Sequence, residues 1–305
     1  MSEIRIGISG WRYVPWRGDF YPEKLTQKNE LKFASRAVNS IEINGSFYSL
    51  QSPDLYSRWG ADTPDNFVFS IKGPRFITHV RRLNEVETPV ANFFASGIFQ
   101  LKQKLGPILW QFPPSFKFDA EQFEHFLSLL PHTLKQAKAC AKQCDERMKK
   151  PGYLDMPSTG RVRHAMEIRN ASFATDEFVA LLRKYKVALV VADAAGKWPY
   201  VEDLTSDFIY LRLHGEKALY ESGYTSAAIK HWGDRIDAWR QGAQPKDAHL
   251  ITAKSAPKRK SRDVYCYFDN DIKVRAPYDA RKLLERFGLA DDLEVAPGDL
   301  QGVTF

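Results

Sequence analysis

Short apolar segments alternate with amphipathic segments along almost the whole chain, and this alternation restricts the possible folds most. Eight segments of five to seven residues have the apolar character of buried strands. They are Ile4–Ser9, Ser40–Asn44, Val68–Lys72, Pro107–Gln111, His164–Arg169, Ala188–Asp193, Phe208–His214 and Asp263–Phe268. Because strand and helix alternate eight times within 305 residues, the pattern predicts an α/β protein with a TIM-like (β/α)₈ barrel.

The segments between the strands have the periodicity of helices that cover a barrel from outside. They are Glu30–Val38, Val90–Lys104, Ala120–Leu130, Thr175–Tyr185, Ser226–Arg240 and Tyr278–Phe287. Residues 46–66 indicate a loop and a weak helix. An open, doubly wound sheet is the alternative, but it would need a glycine-rich dinucleotide turn after the first strand, and none is present. We therefore expect one domain over residues 1–305.

The positive charge is concentrated in two insertions. Lys and Arg number 44 against 37 Asp and Glu, a net charge of +7. Residues 132–163 hold eight basic and three acidic residues, and residues 244–262 hold six and one, so the remaining chain is slightly acidic. Within the first insertion, 132–149 is predicted helical and 150–162 a loop. Both insertions connect a helix to a strand, so we expect them at the N-terminal rim, away from the barrel mouth.

Several classes of protein are disfavoured by composition. The longest uncharged run, Thr88–Leu101, has 14 residues and is too short to cross a bilayer. The N-terminus has no pattern of a signal peptide, and three cysteines cannot form a disulfide framework, so we expect a cytoplasmic protein without a membrane partner. No dinucleotide, flavin or P-loop signature appears, and only one histidine, His214, ends a strand. We therefore predict no cofactor and no metal site.

Polar residues follow the apolar part of most strands. They are Glu42, Asn44, Lys72, Gln111, Glu167, Arg169, Asp193, Arg212, His214 and Asn270. Side chains at i and i+2 share a face of a strand, so Ile41 and Ile43 should face the helices, while Glu42 and Asn44 should point into the barrel. The carboxyl ends of barrel strands carry the active site in TIM-barrel enzymes. The pattern therefore predicts a mixed-charge pocket there.

Two interpretations of this pocket remain open. In the first, Lys72, Arg169 and Arg212 bind an anion, Glu42 or Glu167 is a general base, and His214 shuttles protons. In the second, Glu42, Glu167 and Asp193 neutralise the same three cations in a purely structural network. Aromatic residues near the strand ends, such as Tyr48, could stack on a ligand or pack loops over the barrel.

Eight ordered motifs resemble those of the YecE-like family, a bacterial and archaeal family of unknown function. They are GISGWRY at 7–13 with WRGDFYP at 16–22, EINGSFY at 42–48, KGP at 72–74, QFPPS at 111–115, HAMEIR at 164–169, DAAGKWP at 193–199, YLRLHG at 210–215 and YCYFDN at 265–270. The resemblance implies a TIM barrel but no activity, and the family's polar pattern falls on the strand-end residues given above. Asp269 and Val274 depart from it, where the family usually has Asn and Gly.

These observations predict an enzyme of hydrolase or isomerase type that binds a small anionic or phosphorylated ligand. Glu42, Glu167 and His214 are the predicted catalytic residues. The predicted ligand-binding residues are Asn44, Tyr48, Lys72, Gln111, Arg169, Asp193, Arg212 and Asn270. One alternative is a nucleic-acid-binding or endonuclease-like barrel that uses the basic insertions, and another is a non-catalytic scaffold.

Overall fold

Eight parallel strands close into a barrel. The structure, a computed structural model, describes residues 2–152 and 159–299. Each strand pairs with the next along the chain, and the last pairs with the first. The strands are β1 (Ile4–Ser9), β2 (Ser40–Ile43), β3 (Val68–Lys72), β4 (Leu105–Gln111), β5 (His164–Glu167), β6 (Ala188–Asp193), β7 (Phe208–Leu213) and β8 (Asp263–Phe268). The predicted TIM-like (β/α)₈ fold is confirmed.

Helices cover the outside of this barrel. They are α1 (Glu30–Ala37), α2 (Gly45–Tyr48), α3 (Pro53–Asp62), α4 (Glu87–Ala95), α5 (Ala120–Leu129), α6 (Leu134–Ala141), α7 (Asp176–Lys184), α8 (Ser226–Arg240) and α9 (Arg275–Arg286), with a π-helical turn at Phe76–Val80 and 3₁₀ segments at Val14–Trp16, Gln27–Asn29, Ile98–Lys104 and Ala171–Phe173. Among the described residues, no helix combines the length and the apolar character needed to cross a membrane.

Two helix predictions differ from the structure. The predicted helix Val90–Lys104 is divided, because Gly97 adopts a left-handed φ of 111° between α4 and a 3₁₀ segment. A left-handed residue ends an α-helix, and glycine adopts it without steric cost. Residues 46–66, predicted as a loop and a weak helix, contain two helices, α2 and α3, with a short loop between them. Ser52 accepts a hydrogen bond from the Leu55 amide at the start of α3, and Pro53 occupies its first turn.

The two insertions are less regular than predicted. Helix α6 ends at Ala141, so residues 142–149 of the predicted helix lie outside it. Residues 153–158 of the predicted loop 150–162 lie outside the described residues. The second insertion is held by buried carboxylates: Glu202 accepts from the His249 amide at 2.9 Å, and Asp203 accepts from the Ile251 amide at 2.7 Å.

The barrel interior follows the predicted alternation of side chains. Ile41 and Ile43 of β2 pack in the large core between strands and helices, whereas Tyr210 and Tyr267 belong to a separate cluster inside the barrel. The Tyr267 hydroxyl lies 2.7 Å from the hydroxyls of Ser40 and Ser70, which satisfies a polar group in the interior. The residues that follow on the same faces reach the C-terminal mouth.

Closure between β1 and β2 depends on a glycine. A Cβ placed on Gly7 would lie 1.7 Å from the Ser40 carbonyl oxygen, so a side chain there would force the two strands apart. We expect Gly7→Ala to lower the free energy of unfolding by about 3 kcal/mol, at the upper end of typical overpacking costs. Urea denaturation followed by circular dichroism measures this change.

Gly45→Ala is the matched control, because a Cβ there would have its nearest neighbour, a Gln51 side-chain atom, at 3.8 Å. We expect a change within about 0.5 kcal/mol, as for most substitutions away from special features. Equal stability of the two variants would contradict the role assigned to Gly7.

Candidate functional site at the barrel mouth

The guanidinium of Arg212, near the end of β7, is the centre of the mouth. Its side chain is 0% exposed. Nη1 donates to Glu167 at 2.7 Å, Nε donates to Glu42 at 3.1 Å, and Nη2 donates to Glu42 at 2.8 Å, to Asp269 at 2.9 Å and to Ser9 at 3.1 Å. All three guanidinium nitrogens are therefore engaged by groups from four other strands or strand ends.

Glu42 is fully engaged within this network. One carboxylate oxygen accepts from the Ser9 hydroxyl at 2.5 Å and from Arg212, and the other accepts from the Tyr210 hydroxyl at 2.6 Å and from Arg212. Both oxygens have two donors each. Glu42 thus fixes the position of Arg212 rather than presenting a free oxygen to the mouth.

Two carboxylates of the network, those of Glu167 and Asp269, have lowered pKa values. Burial acting alone would raise the pKa of Glu167, but the charges of Arg169 and Arg212 outweigh it and hold this pKa far below its ordinary value. The pKa of Asp269 is lowered in the same way, because Arg212 and a hydrogen bond from His214 oppose the effect of burial. With Glu42, these residues provide three acidic groups around one buried arginine.

Arg169 lies at the edge of the same network. Its Nε donates to Glu167 at 2.7 Å, and its guanidinium lies 3.6 Å from the centre of the Trp198 ring, within cation–π distance. The side chain is 10% exposed. Its Nη1 and Nη2 have no hydrogen-bond partner among the residues that the structure describes, so these two nitrogens remain open to donate to another molecule.

Lys72, the last residue of β3, is a buried cation with no acidic partner in the part of the chain that the structure describes. Its Nζ lies 4.4 Å from the centre of the Phe47 ring, and it makes no hydrogen bond or ion pair within residues 2–152 and 159–299. Burial, assisted by the charge of Arg212, lowers the pKa of the Lys72 ammonium to about 8. The same neighbourhood lowers the pKa of His79 to about 4, through burial and the charges of Lys72 and Arg169.

His214 is a buried, neutral imidazole. Its Nδ1 lies 2.9 Å from the Asp269 carboxylate, and its Nε2 lies 3.9 Å from that of Glu167. Burial and the charge of Arg212 lower the pKa of His214 despite these carboxylates. The ring is flanked edge-on by Trp198 and Tyr220. Nε2 has no hydrogen-bond partner among the described residues.

Three amide side chains at the mouth also have an unpartnered buried oxygen. Asn44 and Asn270 use their Nδ2 groups, to Ser9 at 3.1 Å and to Asp279 at 3.0 Å, but each Oδ1 lacks a partner among the described residues, as does Oε1 of Gln111. Most buried polar atoms in proteins have a partner, because leaving one unpaired costs about 1–3 kcal/mol. These three oxygens remain able to accept hydrogen bonds at the end of the barrel where the polar strand-end residues lie.

Two predicted site residues lie outside the network. Asp193, expected to neutralise one of the cations, is half-buried at the end of β6 and forms no ion pair with them; Asp269 occupies that role. Burial is the main cause of the raised pKa of Asp193. Tyr48 is 72% exposed on α2, outside the ring of buried groups.

Two acids that follow β8, Asp269 and Asp271, have no role in the predicted site, although Asp269 is one of the polar strand-end residues. Asp269 bonds to Arg212, and Asp271 has a pKa raised to about 6 by burial and by the charge of Asp269. Both stand beside Asn270, which is among the predicted ligand-binding residues. The alternation of side chains along β8 was the sequence signal that predicts an inward direction for Asp269, since Tyr265, Tyr267 and Asp269 share one face of the strand.

The first basic insertion does not stay at the N-terminal rim, contrary to expectation. Thr133 and Arg161 form a bridge near its two ends, but the segment between them passes along α4. Asn92 and Asp145 exchange two hydrogen bonds of 3.1 Å, and residues 147–150 line a cavity together with α2. Because α2 directly follows the C-terminal end of β2, the insertion reaches the flank of the mouth.

Comparisons with known proteins agree with the resemblance seen in the motifs. A family model described as "Protein of unknown function DUF72" matches residues 5–300. UPF0759 protein YunF of Bacillus subtilis is 30% identical over 121 residues, 37% of this chain and 41% of that protein. UPF0759 protein YecE of Escherichia coli K12 is 29% identical over 129 residues, 42% of this chain and 44% of that protein. The matched part therefore spans about two fifths of these relatives.

Two solved structures have a similar fold. A DUF72 family protein from Thermotoga maritima aligns with a TM-score of 0.69 at 22% identity, over 94% of this chain and 99% of that chain. A DUF72 family protein from Enterococcus faecalis aligns with a TM-score of 0.65 at 17% identity, over 94% and 96%. At these identities the likeness extends to the fold alone.

Removal of the central cation should make stability depend strongly on pH. Arg212→Met removes the cation that three buried carboxylates share, so we expect a loss of about 3–5 kcal/mol at pH 8. In the variant the folded-state carboxyl pKa values rise, and the loss should shrink at pH 5 as these groups bind protons. The parent protein should behave in the opposite way. Its Glu167 and Asp269 have lowered pKa values in the folded state. Their contribution to the free energy of unfolding is therefore complete at pH values above their unfolded-state pKa values of 4.5 and 3.8, and it decreases as the pH is lowered further.

Urea denaturation at the two pH values measures this effect. Arg281→Met is the control, since Arg281 forms a partly exposed ion pair with Glu285 on α9 and should cost less than about 1 kcal/mol. A loss for Arg212→Met that is the same at pH 5 and pH 8 would mean that unpaired carboxylates are not its cause.

Proposed function

This chain belongs to the DUF72 family, and we propose that it is an enzyme of hydrolase or isomerase type that binds a small anionic or phosphorylated ligand in the mouth of its barrel. The proposal rests mainly on a contrast within the mouth. Some polar groups have all their hydrogen-bonding positions filled by other residues, and others have positions left open. Arg212 and Glu42 have all their nitrogens and oxygens engaged, whereas Lys72, Arg169 and His214 keep open positions. A purely structural network would leave few such groups.

Lys72 and Arg169 bind the anion in this proposal. Lys72 has no acidic partner among the described residues, and Arg169 has two free nitrogens beside the Trp198 ring. A phosphate or carboxylate placed between them would gain charge-assisted hydrogen bonds. Arg212, which the sequence assigned to the anion, becomes a positioning residue that holds the carboxylates in place. Asp193 and Tyr48 would contact only a ligand large enough to reach the rim.

The amide oxygens favour a ligand with hydroxyl groups. The unpartnered oxygens of Asn44, Gln111 and Asn270 can only accept hydrogen bonds, so the complementary ligand must carry donors. An anionic group together with several hydroxyls is typical of a phosphorylated sugar or a nucleotide ribose. Trp198 and Tyr220 provide aromatic faces that could pack against such a ring.

His214 is the best candidate for proton transfer among the three predicted catalytic residues. It is neutral and has a free Nε2, and Asp269 beside Nδ1 would stabilise the imidazolium that forms when Nε2 accepts a proton. Glu167 holds Arg169 and Arg212, and Glu42 holds Arg212, so both act mainly through these arginines. Asp271, with a pKa of about 6, would supply a carboxylic acid on the same rim.

We also propose a cytoplasmic location. Cys140, Cys144 and Cys266 are all free thiols, and Cys266 is buried in the barrel wall. Free thiols are typical of proteins kept in a reducing compartment.

Phosphate binding tests the assignment of the two cations. We expect inorganic phosphate to raise the melting temperature, and Lys72→Met and Arg169→Met each to weaken phosphate binding at least tenfold, because each removes a charge-assisted contact worth about 1.5–3 kcal/mol. The measured quantity is the phosphate-dependent shift within each variant, so a lower basal stability does not affect the comparison.

Arg240→Met is the control, since Arg240 ends α8 and pairs there with Asp237 rather than with a group of the mouth. It should bind phosphate like the parent protein. Unchanged affinity in both Lys72→Met and Arg169→Met would refute the proposed anion site.

The pH dependence of sulfate binding tests Lys72 separately. Its ammonium has a pKa of about 8, so the cation is present at pH 7 and mostly lost by pH 9, and sulfate affinity should fall over that interval. Sulfate keeps the same charge between pH 7 and pH 9, so a change in its affinity over this interval does not come from titration of the ligand. In Lys72→Arg the cation persists, because a guanidinium does not deprotonate in this range. A fall of equal size in parent and Lys72→Arg would assign the effect to another group.

A further inference from the structure

A second cavity, separate from the proposed anion site, lies beside the barrel mouth. It has a volume of about 610 Å³, within the usual range for small-molecule sites. Its walls are α2 and the segment that leads to α3, the turn after β3, α4, and residues 147–150 of the first insertion. The ring of Phe47 contributes to its wall and also lies over Lys72, so one aromatic ring separates the cavity from the mouth.

The cavity wall contains an unusual share of exposed apolar surface. Tyr48 is 72%, Phe76 44% and Leu50 39% exposed, and all three line it together with Ile77 and Met148. Single exposed apolar residues need no explanation, but several around one concave space are typical of a binding site. The cavity therefore suits a ligand with an apolar body.

The charged residues of the wall are all basic. Arg147, Lys149 and Lys150 line the cavity, and no acidic residue does so among those described. Arg147 is neutralised by Asp145, to which its Nε donates at 2.8 Å. Lys149 and Lys150 are exposed and have no ion-pair partner within the described residues. The ligand should therefore carry a negative group at this edge.

Hydrogen bonds on both sides of residues 147–150 hold this part of the first insertion in place as a wall of the cavity. Asn92 and Asp145 exchange two hydrogen bonds, and the Gly152 amide donates to the Ala95 carbonyl at 2.7 Å. A Cβ on Gly152 would lie 2.5 Å from Cα of Gly97, so glycine at 152 allows the insertion to lie directly against the barrel. These contacts fix both sides of the basic stretch.

We propose that this cavity binds an amphipathic organic anion, whose aromatic or acyl body packs against Phe76, Leu50 and Met148 and whose carboxylate, sulfonate or phosphate contacts Lys149 and Lys150. The volume of about 610 Å³ lies in the range of small-molecule sites, which favours a small molecule as the occupant. This site does not depend on the anion site at the mouth.

Fluorescence titration with 8-anilinonaphthalene-1-sulfonate, an aromatic sulfonate, tests the proposal. We expect one dye per chain. The double variant Lys149→Gln/Lys150→Gln should weaken this dye about tenfold but leave the neutral dye N-phenyl-1-naphthylamine unaffected. Phe76→Ala should weaken both dyes, because it removes part of the apolar wall. Phe76 is partly exposed, so the variant is expected to fold.

Lys258→Gln/Lys260→Gln is the matched control, since it removes two exposed charges from the other basic insertion and should leave the affinity for both dyes unchanged. The proposal is overturned if the dye does not bind, or if the control weakens it as much as Lys149→Gln/Lys150→Gln. It is overturned equally if Lys72→Met weakens the dye and the insertion variants do not, because the dye would then occupy the mouth. A dimer that Phe76→Ala converts to a monomer would show that a second copy covers the cavity, which also overturns it.

Discussion

The burial of one guanidinium imposes the arrangement of the whole barrel mouth. Arg212 is removed from water, and the loss of its hydration is offset only because Glu42, Glu167 and Asp269 approach it from three other strands. Each of these carboxylates is buried as well, so neither side of the network is favourable without the other. The strand ends are therefore fixed relative to one another by charge as well as by the backbone ladder.

Beside this network lie polar groups with hydrogen-bonding positions that no described residue fills. The network around Arg212 is surrounded by Lys72, Arg169 and His214. The open nitrogens of these residues lie at the same end of the barrel as the amide oxygens of Asn44 and Gln111. In the proposed function, the groups whose hydrogen-bonding positions are all filled hold the mouth in place, and the groups with open positions bind the ligand. Each of the two interpretations that the sequence left open thus applies to different residues. The structural interpretation describes Arg212 and Glu42, and the proposed ligand site uses their neighbours.

The first insertion illustrates a limit of arguments from topology. Its ends join α5 to β5, and that connection correctly predicts where it starts and ends. The path between the ends depends on contacts that are distant in sequence, such as Asn92 with Asp145 and Ala95 with Gly152. Its lysines consequently reach the flank of the mouth, where they form one wall of the second cavity.

The sequence by itself determined the barrel and the faces of its strands, because hydrophobic periodicity and the alternation of side chains are local properties of the chain. The inward direction of Glu42, Glu167 and Arg212 follows from the same periodicity. Tertiary structure alone decided that Asp269, rather than Asp193, completes the network around Arg212, and that Lys72 has no acidic partner among the described residues. Ion pairing depends on distances of a few ångströms between different strands, and these are set by register, by barrel closure at Gly7 and by burial, none of which is encoded in the spacing of residues along one strand.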